Sequence, residues 1–116
     1  MRRILFGFVG IAFLSGCGSP EEREAADCRS TTMAFVMSQE FVKQRLKSPA
    51  TAEFPYITDR GVTVYQMEPA TACKHSVTAY VDSQNGFGAM IRSTYTVVMR
   101  KVHGEDSWTA SDLIIN

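Results

Sequence analysis

The rhythm of apolar and polar positions changes along this chain, and each change marks an element. Ile4 to Leu14 is an unbroken run of eleven apolar and small residues. From roughly Glu24 to Lys47 the apolar side chains recur every three or four residues: Ala34, Phe35, Met37, Phe41, Val42 and Leu46. That spacing predicts one long helix with a single apolar face, shared with Thr31, Ser38 and Arg45. Glu40, Lys43 and Lys47 fall on the opposite face. Positive charge in the last turn suits the helix dipole, and Pro49 forces Ser48 out of helical geometry. Residues 50–60 read as a connector pinned to the domain by Phe54 and Tyr56 around Pro55.

After the connector the period becomes two. Residues 61–67 predict a short strand, 75–82 and 90–102 two longer ones, and 108–115 a last one. Pro69 and Cys73 lie in the loop before the second strand. Asn85-Gly86 is a strong turn signal, because both residues tolerate positive φ. One helix followed by four antiparallel strands implies an α+β fold of two layers, the helix lying across one face of a meander. With odd-numbered residues inward, Val81 is expected opposite Ile91, Ala79 opposite Ser93 and Val77 opposite Tyr95. The small Ala79–Ser93 pair would then make room for Phe35 or Phe41.

The opening run changes the picture of where the chain works. Eleven residues are too few for a bilayer span, which needs roughly 20. A basic start (Arg2, Arg3), a short apolar stretch and small residues form an export signal. Leu14-Ser15-Gly16-Cys17 resembles the bacterial lipobox, in which a diacylglycerol alkylates the thiol and the chain is cut just before it. The alternative is an ordinary cleaved signal with an incidental cysteine. The lipobox reading divides the chain into a signal peptide (1–16), a lipidated Cys17 with a flexible tether (17–26) and one α+β domain (27–116). The resemblance implies a diacylglycerol and a third, amide-linked acyl chain, enough for stable anchoring. In Gram-negative lipoproteins of this kind an Asp after the Cys favours inner-membrane retention; with Gly18 there instead, the resemblance implies the outer membrane if the host has one.

Composition narrows the partners. Removing Arg2 and Arg3 from twelve basic side chains leaves ten against twelve acidic ones. A mildly acidic domain lacks the basic stripe that nucleic acid requires. With Cys17 acylated, Cys28 and Cys73 remain, and an oxidising envelope favours a disulfide between them. Two free thiols or a thiol-bound metal are the other readings, although metal sites want closer spacing and more ligands.

Two stretches carry a wider resemblance. Phe41-Val42-Lys43-Gln44-Arg45-Leu46-Lys47-Ser48-Pro49-Ala50-Thr51-Ala52-Glu53-Phe54-Pro55 is similar to a segment of many small bacterial and prophage-associated proteins. Tyr80-Val81-Asp82-Ser83-Gln84-Asn85-Gly86-Phe87-Gly88-Ala89-Met90-Ile91-Arg92 resembles a second segment of the same group. These proteins occur as lipoproteins and as C-terminal modules. The resemblance supports a single domain and implies no activity, cofactor or catalytic residue.

Candidate chemistry is sparse. His75 and His103 read as solvated residues at strand edges, with no ligand or carboxylate at useful spacing. Met33 and Met37, one turn apart, could attract copper, but packing explains them better. No nucleophile signature, metal cluster or phosphate-cradling loop stands out, so no catalytic or metal residue is assigned. The one constellation is the end of the second hairpin: Asp82, Gln84, Asn85, Phe87 and Arg92. It admits two readings. In the structural one, Asp82 and Asn85 cap the turn, Phe87 folds onto the core and Arg92 stacks on Tyr80 across the strands. In the functional one, the hairpin is a partner-binding loop facing away from the membrane. Three functions follow: a non-catalytic envelope lipoprotein acting by protein contact, an exclusion or inhibitor lipoprotein, and a small-ligand binder using the helix–sheet cleft.

Overall fold

The structure, a computed structural model, describes residues 19–116. The signal segment 1–16, Cys17 and Gly18 lie outside the described residues. The fold is α+β, with helices α1 (Pro20–Cys28) and α2 (Thr31–Lys43) preceding strands β1 (Thr63–Gln66), β2 (Lys74–Gln84), β3 (Met90–Lys101) and β4 (Trp108–Ile115). The strands form one antiparallel sheet in the order β1-β2-β3-β4, the expected meander. Single 3-10 turns at Pro49–Thr51 and Ala70–Ala72 punctuate the loops.

The single long helix expected from residue 24 onward is replaced by two helices, of nine and thirteen residues. Local capping makes the difference. Ser19 accepts a hydrogen bond from the Glu22 amide while the Glu22 carboxylate accepts one from the Ser19 amide, and Pro20 occupies the first turn. This is a complete capping box with proline where its missing N–H costs nothing. Residues 20–26, expected as flexible tether, are therefore helical. The break follows Cys28. Ser30 leaves helical geometry and accepts from the Met33 amide, which starts a new helix. α2 stops at Lys43, four residues before the expected end, and residues 44–48 turn back toward the sheet.

α2 covers the inner face of the sheet. Ala34, Phe35, Ser38 and Val42 are buried on it. They meet Val77, Ala79, Val81, Tyr95, Val97, Met99 and Trp108 in one core. The Ser38 hydroxyl donates to the Phe35 carbonyl at 2.6 Å and lies 3.4 Å from the Tyr95 hydroxyl, so these two buried hydroxyls satisfy each other. Phe54 packs edge-to-face on Tyr95, with ring centroids 6.5 Å apart. That pins the connector as expected, whereas Tyr56 is 79% exposed and pins nothing.

The inward face of β2 and β3 is the odd-numbered one, but the register slips by two residues. Val81 lies opposite Ser93, Ala79 opposite Tyr95 and Val77 opposite Val97. A slip of two preserves every facing, so periodicity cannot detect it. The turn sets it: the ladder closes at Gln84–Met90, leaving five residues in the loop. β4 carries a bulge near Asp112, at φ 55°, where the register skips between Thr96 and Val98. The bulge shifts the alternation, so Trp108 and Ala110 face inward before it and Leu113 and Ile115 after it.

A disulfide joins Cys28 to Cys73, with Cα atoms 4.6 Å apart and a sequence separation of 45. It fastens the end of α1 to the residue preceding β2. α1 buries no residue of its own.

Candidate functional site

The five hairpin residues named from sequence are brought together, and they divide into scaffold and free surface. Asn85 Oδ1 accepts from the Phe87 amide at 2.9 Å and the Ala89 amide at 3.1 Å. It thereby closes the turn through its own side chain. Asp82 does not cap this turn. Its two oxygens accept from Arg92 Nε at 2.8 Å and Nη2 at 2.9 Å, a bidentate pair across the outer face. The guanidinium also stacks over the Tyr80 ring, 4.0 Å from its centroid. The Arg92 hydrogen bonds hold the Asp82 carboxyl below its ordinary value, and Asp82 in turn raises Arg92. The Gln84 amide donates to Thr51 Oγ1 at 2.9 Å, and Glu53 pairs with Asp82 through the backbone. Phe87, expected to fold back on the core, is 97% exposed.

These bonds leave a rigid hairpin with an aromatic side chain at its tip. Beside it lies a groove of about 450 Å³. The groove exists because the sheet outruns the helix: α2 ends at Lys43, while β2 and β3 continue past the last core pair. Ser83 and Ser93, small and inward-facing, take the place of core side chains there. Leu46, Phe87, Ile91 and Ile115 form apolar walls, and Arg45 and Lys47 stand on the helix-side rim. The stretches 41–55 and 80–92, far apart in sequence, thus meet on one feature.

The opposite end holds a second cluster that sequence reading missed. Lys101 is buried, with its ammonium donating to Glu24 Oε1 at 2.8 Å, the Glu105 carbonyl at 2.6 Å and the Val102 carbonyl at 3.4 Å. All three donors of the ammonium are thereby used. Glu24 Oε2 accepts from the Gly104 amide at 3.1 Å and lies 3.5 Å from His103 Nδ1. The Lys101 hydrogen bond, then the Gly104 amide, hold Glu24 below its ordinary value. A wider cavity of about 610 Å³ opens here between α1 and the β3–β4 turn, bordered by the disulfide. Glu21 and Glu24 both line it, and the Glu24 carboxylate is already committed to Lys101 and Gly104. No group of three or more potential metal ligands occurs among the described residues.

His103 is exposed, as expected of a solvated strand-end residue, but His75 is not: it is fully buried on the inner face of β2, 6.0 Å from Trp108 between ring centroids. Burial pushes its pKa down, only partly opposed by the Arg29 backbone, and neither ring nitrogen has a hydrogen-bond partner of good geometry. The clue was its odd number, which placed it in step with Val77 and Val81.

No helix among the described residues is long and apolar enough to cross a membrane. No family model, curated protein or solved structure matches the chain.

Proposed function

We propose that the chain matures into a bacterial envelope lipoprotein, anchored through a fatty-acylated Cys17, that acts by protein contact through its β2–β3 hairpin. The observation that carries the contact reading is the fully exposed Phe87 on a turn locked by Asn85. An aromatic side chain on a rigid support loses little entropy on binding and is a common interface anchor.

The layout fits an anchored domain. Glu24 of α1 sits against Lys101 and Gly104, at the far end of β3 from Met90. Twelve strand residues separate the two ends, a distance of about 35 Å at the usual rise. An anchor preceding α1 is compatible with a membrane on the side away from Phe87. The Cys28–Cys73 disulfide suits an oxidising compartment. The convergence of the two resemblance-bearing stretches on the groove favours this end of the molecule as the working surface.

The test is photo-crosslinking in living cells, with a photoreactive residue at position 87 and a control at Tyr65 on the outer sheet face. Position 87 should give a discrete adduct with an envelope protein, and position 65 should not. Identical adduct patterns, or none at 87, refute the contact reading. Separately, a Cys17→Ala chain should leave the membrane fraction as a folded soluble domain.

A further inference from the structure

We infer that the groove beside the hairpin receives a short acidic peptide segment bearing one or two apolar side chains, displayed by the protein partner. This inference rests on the contact function above and specifies its chemistry.

The lining is one-sided in charge. Arg45 and Lys47 are exposed on one rim, and neither has an ion-pair partner among the described residues. No carboxylate lines the groove. The nearest one on the hairpin, Asp82, faces the opposite side of the sheet and is held by Arg92. Glu40, one turn before the end of α2, is held by Lys43. The charged side chains that line the groove are thus both cationic, on a mature domain that is net acidic. Between the cations and the tip, Leu46, Ile91, Ile115 and Phe87 offer apolar surface, with Ile91 45% and Phe87 97% exposed. Ser83 and Ser93 below them can donate hydroxyl hydrogen bonds to an entering backbone or carboxylate.

An anionic lipid surface shares the charge but not the location. The groove sits at the end of the sheet remote from α1, and an anchor preceding α1 is compatible with a membrane on the other side. A peptide carried by a neighbouring protein meets both the charge and the position.

The full chain in detergent micelles tests this with a fluorescent peptide alternating Asp or Glu with Leu or Phe. One control peptide has the acids replaced by Lys, and another has the apolar residues replaced by Ser. The acidic-apolar peptide should bind, and both controls should bind at least tenfold more weakly. Raising salt from about 50 to about 500 mM should weaken binding by screening the rim charges. Arg45→Glu combined with Lys47→Glu should cost tenfold or more in affinity. Phe87→Ser, which removes no internal contact, should weaken binding with an unchanged urea midpoint, and so separates recognition from folding. Equal binding of the acidic and basic peptides, indifference to the double charge reversal, or preference for phosphatidylglycerol vesicles overturns the inference. If position 87 crosslinks to a protein in cells but the acidic peptide neither binds nor competes, the occupant is wrong and the contact function stands. Peptide binding without any cellular adduct at 87 removes both.

Discussion

The imidazole of His75 is enclosed by the sheet, Trp108 and the α1–α2 junction, with its nitrogens unpartnered. Its folded pKa lies below the ordinary 6.5, so between the two values the unfolded chain binds more protons. The stability tied to neutral His75 is thus complete above about pH 6.5 and declines as the pH falls below it. Urea midpoints at pH 7.5 and 5.5 should show the loss, and His75→Leu should remove it. Because an orphaned buried polar group costs about 1–3 kcal/mol, the same substitution should leave the domain at least as stable at pH 7.5. Glu24 and Asp82 act in a lower window. Their depressed carboxyls add stability above their ordinary values, and it is lost as pH falls through the folded ones. Within the hairpin, Asn85→Ala should cost about 1–2 kcal/mol through two lost turn bonds. Phe87→Ser should stay within about 0.5 kcal/mol of the parent in the same denaturation assay.

At the scale of elements, α1 is the least self-sufficient. It buries nothing and is held by the disulfide and by Glu24. Replacing both Cys28 and Cys73 with Ala should lower stability by on the order of 4 kcal/mol on the chain-entropy account. Limited proteolysis should then cut near residue 29, at the break between the helices, before it touches the sheet. The sequence carried most of this level. Strands at 108–115 and from residue 90, the odd-numbered inner face and the cysteine pairing were all legible, because period two and an even cysteine pair are direct physical signals. Three features were not. The break at Ser30 competes with a helical pattern that runs straight through it. The register slip leaves every side chain on its expected face. Helix α1 has no apolar periodicity to betray it, because it buries no residue, and only the capping signature Ser19-Pro20-Glu21-Glu22 marks its start.

For the whole molecule, two clusters sit at opposite ends of the long axis of the sheet: Lys101, Glu24 and the disulfide at one end, Phe87 and the groove at the other. Of the candidate site, the sequence identified the hairpin but not the groove. The groove depends on where α2 stops relative to the strands, which is a relation between distant elements. The three-way bonding of Lys101 was equally hidden, since a lysine at a strand end ordinarily reads as solvated. Charge substitutions at the two ends should behave differently. Lys101→Met should lower the denaturation midpoint, by stripping Glu24 and two carbonyls of their donor. Lys47→Glu should leave the midpoint nearly unchanged and alter only binding.

The disulfide also dictates how the molecule carries mechanical load. Pulling between Ser19 and Phe87 passes tension along α1, through the sulfur bridge, and directly into β2. The intervening α2, connector and β1 are bypassed, because β2 runs directly from the bridge to the hairpin that carries Phe87. In a force spectrometer the oxidised chain should lengthen only by the uncoiling of α1, since β2 is already extended. After reduction it should release about 160 Å of additional contour, the extended length of the 45-residue loop that the bridge had kept out of the line of force.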